Sequence, residues 1–126
     1  MIVLDTVALI YWTVRPERLS VVAAREIESA ESLLISSISI WEIAVKSRKG
    51  HIDLTIPLRE YMRGLEQIPQ LQILPVDGAT WLLSAQLDWP HPAPAYRVLV
   101  ATAMSFGCPL ITSDRVIGGF YAATVW

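Results

Sequence analysis

The sequence predicts an α/β fold in which a mostly parallel sheet is covered by helices on both faces. Three observations predict it. Short, largely apolar runs recur along the chain: IVL at 2–4, LLIS at 33–36, LQILPV at 71–76 and PLIT at 109–112. Such runs mark strands buried on both faces rather than strands with one wet side. Longer stretches that begin at capping residues and end at glycine or proline lie between them. Strands alternating with helices imply parallel pairing with helical crossovers.

Ile2–Leu4 is the first strand and stops at Asp5. Thr6 to Val14 is too long and apolar for a strand and reads as a helix ended near Pro16. Ser20 caps a second helix that runs to about Ala30. After LLIS, Ser39 and Glu42 have the spacing of a capping box, which opens a helix through IWEIAVKSRK that ends at Gly50. Pro57 starts a helix with Leu58, Tyr61, Met62 and Leu65 on one face. The strand at 71–76 leads to Asp77, a cap for ATWLLSAQL. Pro90, Pro92 and Pro94 alternate and impose an extended, stiff loop. Tyr96 to Phe106 is a helix closed by Gly107, Asp114 caps a short turn after PLIT, and Thr124–Trp126 is a last strand.

The length of 126 residues suits one domain, residues 1–126. Hydrophobic residues at 53% and charged residues at 17% exclude a disordered chain. A formal net charge of −2 excludes the bulk electrostatic footprint of a protein that coats duplex DNA. The single cysteine, Cys108, excludes an intramolecular disulfide and a cysteine-based zinc site. MIVLD lacks the basic start of a signal peptide, and no apolar run approaches the roughly 20 residues of a membrane span. The expectation is a cytoplasmic protein. The apolar stretches at Leu9–Trp12 and Tyr61–Leu65 exceed what one small core absorbs, so a partner surface is expected.

Ligands of open parallel sheets bind outside the carboxyl ends of the strands. Asp5 and Asp114 each follow a strand, and Glu42 lies near the start of the helix after the second. Converging carboxylates repel one another unless a cation lies between them, and oxygen donors suit Mg2+ or Mn2+. Structural alternatives exist for two of the three. Asp114 serves as a helix cap, and Glu42 as the partner of Ser39. Asp5 has no such easy alternative, since an unpaired buried carboxylate is costly. His51 and His91 read as loop residues rather than ligands. The five tryptophans read as core or interface residues rather than a base-stacking platform.

Four segments carry a family resemblance: MIVLDTVALIYW, ISSISIWEIAVKSRKGHIDL, PHPAPAYRVLVATAMSFGCPLITSDR and the terminal strand. In order and over essentially the whole chain, they resemble the PIN domain, and within it the VapC-type toxins of prokaryotic toxin–antitoxin pairs. The resemblance implies a PIN-like three-layer α/β/α fold and a metal-dependent endoribonuclease that hydrolyses RNA phosphodiesters. It implies Mg2+ or Mn2+ as cofactor, with Asp5, Glu42 and Asp114 as catalytic and metal-binding acids. Thr6 and Ser113 fall where they bond the carboxylates or the phosphate, and Arg97 and Arg115, with Lys46, Arg48 and Lys49, where they guide the RNA backbone. The implied partners are a cognate antitoxin protein and a second copy in a homodimer.

The chain departs from the family pattern at APAYR. Family members carry a further acid just before the arginine, where this chain has Tyr96, and another is common where it has Ala93. Asp88 lies upstream in the same loop. A phenol is neutral at pH 7 and does not hold a dication as a carboxylate does. A second reading follows, a catalytically weakened PIN fold that acts as a binding protein for antitoxin, RNA or itself. A receiver-like α/β domain also has acids at strand ends, but its late-strand lysine is missing here.

Overall fold

The computed structural model describes residues 1–126. The elements run β1 (Ile2–Leu4), α1 (Thr6–Val14), a 3-10 turn (Pro16–Arg18), α2 (Val21–Ser29), β2 (Leu33–Ser36), α3 (Ser37–Arg48), α4 (Leu58–Glu66), β3 (Leu71–Leu74), α5 (Gly78–Gln86), α6 (Pro94–Phe106), β4 (Leu110–Ile111), α7 (Arg115–Phe120) and β5 (Thr124–Val125). The five strands form one sheet in the order β3-β2-β1-β4-β5. Every pairing is parallel.

Alternation along the strands divides the core in two. Ile2, Leu4, Leu33 and Ile35 pack with Ala8 and Leu9 of α1, Ile27 of α2, Ile43 of α3 and Tyr61 and Leu65 of α4. Val3 and Leu34 point the other way, against Val100, Ala101 and Ala103 of α6, Ile117 of α7 and Trp89. Two helical layers therefore enclose one sheet, as the run-like strands require. The stretches expected to overflow the core are absorbed in part: Leu9, Tyr61 and Leu65 are buried, while Ile10, Tyr11, Trp12 and Met62 are half-buried. The surplus apolar surface lies elsewhere, at Trp41, which is 62% exposed, and at Trp81 and Leu82.

Most helix starts follow the expected chemistry. The Asp5 carboxylate accepts from Ala8 N–H at 2.7 Å, Ser20 Oγ from Ala23 N–H at 3.0 Å and Asp77 from Thr80 N–H at 2.8 Å. The start of α3 differs from the expected capping box. Ser36, at the end of β2, is the cap and accepts from Ile38 N–H at 3.2 Å, so the helix begins before Ser39. Ser39 is fully buried in the first turn, and its hydroxyl bonds Thr6 Oγ1 at 2.8 Å. Pro94 opens α6, where its missing N–H needs no partner. Gly107 closes that helix at φ 60°, a left-handed position that penalises a side chain.

Strand order places the site. From the central β1 the chain steps outward to β2 and β3, then returns to the other side of β1 for β4 and β5. The reversal falls between β1 and β4, where open parallel sheets form a crevice at the carboxyl ends of the strands. Asp5 follows β1 and Asp114 follows β4, so the two acids flank that crevice.

Candidate active site

A small cavity of about 110 Å³ opens at the crevice, lined by Asp5, Thr6, Val7, Glu42, Lys46, Tyr96, Leu99, Ser113 and Asp114. The three acids singled out in the sequence thus meet in one pocket, from three elements distant in the chain. Each ties one oxygen to the fold. Asp5 Oδ1 accepts from the Ala8 amide. Glu42 Oε1 accepts from the Thr6 hydroxyl. Asp114 Oδ1 accepts from the amides of Val116 and Ile117 at 2.8 and 3.1 Å. Asp114 is therefore both helix cap and pocket acid, so the two readings of it are compatible.

The electrostatics are those of crowded acids. Asp5 is buried, and loss of water raises its pKa from 3.8 to about 6, against the lowering effect of the Thr112 hydroxyl and the Ala8 amide. The charges of Asp114 and Glu42 push it further in the same direction. Tyr96 is raised to about 12, first by burial, then by its hydroxyl facing the Asp114 carboxylate and by the charges of all three acids. Its phenol stays protonated at any physiological pH.

This arrangement makes a pH prediction for the metal-free protein. Folded Asp5 holds its proton more tightly than the unfolded chain does, so the native state binds the extra proton between pH 3.8 and about 6. Stability then falls as pH rises through that window and stays on the lower plateau above it. Thermal melts without metal check this. The stability difference between wild type and Asp5→Asn should be small near pH 4, open as the pH rises from there to about 6, and stay constant above that.

The donor set fits a hard divalent cation. It consists of carboxylate oxygens with a free lone-pair side, and neither histidine nor Cys108 lines the pocket. As placed, no three of the chain's Asp, Glu, His and Cys side chains stand close enough together to hold one metal ion. Mg2+ tolerates such a site, because it usually keeps several waters and is held through one or two carboxylates.

Of the expected contacts, Thr6 takes the carboxylate alternative and Arg97 takes a different role. Thr6 is buried, and its hydroxyl proton goes to Glu42, so it orients an acid instead of meeting a phosphate. Arg97 has no donor left for RNA. Its guanidinium bonds the carbonyls of Ser84, Ala85, Leu87, Trp89 and His91, which accounts for all of its N–H groups. Ser113 lines the pocket, whereas Arg115 is exposed at the first residue of α7 and Asp88 is exposed outside the lining. Val7 and Leu99 are apolar walls that the motif reading did not name. The spacing from Tyr96 to Leu99, three residues on one helix face, is the signal that finds the second.

Comparison with known proteins agrees with this geometry. The model of the PIN domain family matches residues 2–122. Ribonuclease VapC22 of Mycobacterium tuberculosis is 34% identical over 116 residues, which span 90% of this chain and 87% of that protein. Among solved structures, a toxin–antitoxin complex from Klebsiella pneumoniae superposes with a TM-score of 0.71 at 20% identity, over 100% of this chain and 97% of the other. FitAcB from Neisseria gonorrhoeae gives 0.67 at 22% identity, over 100% and 96%. The fold, the site at the strand reversal and the extent of these matches lead to one conclusion: the chain belongs to the PIN domain family, in the company of the VapC-type proteins.

Proposed function

We propose that residues 1–126 act as one domain, a metal-dependent endoribonuclease that serves as the toxin of a toxin–antitoxin pair in the cytoplasm. The observation that carries this reading is the meeting of Asp5, Glu42 and Asp114 in a single pocket at the reversal of the sheet. The 34% identity to a ribonuclease supports the reaction class. A divalent cation, Mg2+ or Mn2+, would be held by these three acids, and when bound it supplies an acidified water and charge neutralisation at the phosphate. The chain's own groups do the rest. Thr6 holds Glu42 in place, and Ala8 holds Asp5. Lys46 and Ser113 offer donors to an RNA phosphate in an otherwise acidic pocket, and Arg115 lies exposed beside it in sequence to steer the backbone. Single-stranded or looped RNA suits an open pocket of this size better than a stiff duplex.

Cleavage of a single-stranded RNA oligonucleotide is expected with Mg2+ or Mn2+, lost with excess EDTA and regained when the metal is restored. Cleavage that survives exhaustive chelation contradicts the metal role.

Two grooves support the protein partners. One of about 470 Å³ lies between α3 and α4, with Ile40, Ile43, Leu58 and Met62 beside Arg59, Arg63 and Glu66. Its apolar floor and charged rim fit an amphipathic helix of an antitoxin. The other, about 680 Å³, includes Ile38, Trp41, Val76, Trp81 and Pro94, with Glu42 its one charged residue. A face so poor in charge is self-complementary and suits a two-fold homodimer. Light scattering at micromolar concentration should read twice 14.0 kDa, and Trp41→Glu should return the monomer. No helix is long and apolar enough to cross a membrane.

The alternative is a binding protein with a weakened site. Tyr96 is the observation that favours it, as the pocket has a neutral phenol where an acid is expected.

A further inference from the structure

The segment before α6 is built around Tyr96. Phe120 stacks on Trp89 with centroids 4.9 Å apart and planes 11° from parallel. Trp89 meets His91 at 4.8 Å, and His91 meets Tyr96 at 4.7 Å. Four rings thus form a column that starts at the buried Trp89 and the half-buried Phe120 and ends in the acidic pocket. Within it, His91 Nδ1 accepts from the Ala93 amide at 3.1 Å, which fixes the ring. Arg97, the residue after Tyr96, gathers carbonyls from Ser84 to His91 onto the first turn of α6. The alternating prolines at 90, 92 and 94 stiffen the same stretch.

A tyrosine left behind by the simple loss of an acid needs no such support. The side chain swings to solvent at little cost, since an exposed aromatic rotamer is not confined. Here the ring packs at a tilt of 48° against His91 on one side, and its hydroxyl faces Asp114 in the pocket. The pocket also has a use for it. A phosphate brings charged oxygens into a cavity with three carboxylates, and besides Tyr96 the side-chain donors in the lining are Lys46, Ser113 and Thr6, the last of which is engaged with Glu42. A phenol is a poor cation ligand but carries a proton to donate.

Building on the nuclease reading, we propose that the Tyr96 hydroxyl is a working group of this site, a pre-positioned neutral donor to a non-bridging oxygen of the scissile phosphate. The column Phe120–Trp89–His91 and the Arg97 clamp hold it in place. The chain has replaced an acid with a donor rather than lost a function at that position.

Three variants and three readouts test this on a single-stranded RNA oligonucleotide. Tyr96→Phe keeps the column and removes only the oxygen. It should leave the melting temperature unchanged and lower kcat/KM roughly 10- to 100-fold, the worth of a hydrogen bond to a charged group. In an Asp5→Asn background, which separates binding from cleavage, the same change should weaken RNA affinity by a similar factor. His91→Leu should reduce cleavage when Tyr96 is present and add nothing in the Tyr96→Phe background, since the two act through one group. Tyr96→Asp should not cleave faster than wild type. Unchanged RNA affinity and cleavage in Tyr96→Phe overturn the proposal, and so does faster cleavage by Tyr96→Asp. A wild-type protein that cleaves no RNA refutes the nuclease reading instead, and the affinity comparison then decides the role of Tyr96 alone.

Discussion

Asp5→Asn should raise the melting temperature of the metal-free protein at pH 7 while removing its nuclease activity. Both effects come from one carboxylate. Asp5 is 5% exposed and sits beside two other acids. Its charge is unfavourable in the folded state, by up to about 3 kcal/mol at neutral pH on the scale of a displacement from 3.8 to about 6. Asparagine has the same shape and keeps an oxygen for the Ala8 amide, so α1 retains its cap. Relief of that charge should add on the order of 5–10 °C for a domain of this size. Cleavage should fall by about 10²–10³-fold or more, the scale seen when a pre-placed electrostatic group is removed from a catalytic site. Calorimetric melting and an RNA cleavage assay on the same preparation read both. A variant that melts higher and still cleaves at the wild-type rate places the activity elsewhere. Bound Mn2+ should narrow the stability difference, because the cation stabilises only the form that keeps the carboxylate.

Arg97→Met should be among the most destabilising single changes outside the hydrophobic core. The guanidinium ties the end of α5, at Ser84 and Ala85, to the irregular segment that follows it through Leu87, Trp89 and His91. Its removal leaves several partly buried acceptors without a donor and should cost about 2–4 kcal/mol. Arg97→Lys should recover little of this, since an ammonium has three donors at one point and not a planar fork. That comparison separates the clamp from a role in gripping RNA, because a lysine keeps most of a phosphate contact. Thermal melts and limited proteolysis at residues 84–92 report the loosening directly. Cleavage should decline in parallel, since the same stretch carries His91 against Tyr96.

Much of this protein is legible in its sequence because much of it is local. The strand runs, the caps at Ser20, Asp77 and Asp114 and the stops at Pro16 and Gly107 depend on interactions a few residues apart. The pairing of Asp5 with Asp114 is also legible, since each follows a buried strand and parallel strands end on the same side. The reading went astray where two local solutions were equally good. Ser36 and Ser39 both suit a helix cap, and nothing nearby chooses between them. Pairing of β2 with β3 through Ser36 and Leu74 ends the strand at Ser36 and starts α3 there. Ser39 is thereby turned inward to Thr6, and Glu42 toward the pocket.

The α/β class and the element order are legible in the residues alone, because hydrophobic period and capping chemistry act within a turn or a strand. That Arg97 clamps the fold, that Thr6 bonds Glu42 and that Tyr96 ends a column of rings at the pocket emerges from contacts made through space. Each of these depends on which groups from distant segments meet through space. The strand order β3-β2-β1-β4-β5 sets those meetings, and it follows from how whole faces pack rather than from any short stretch of residues.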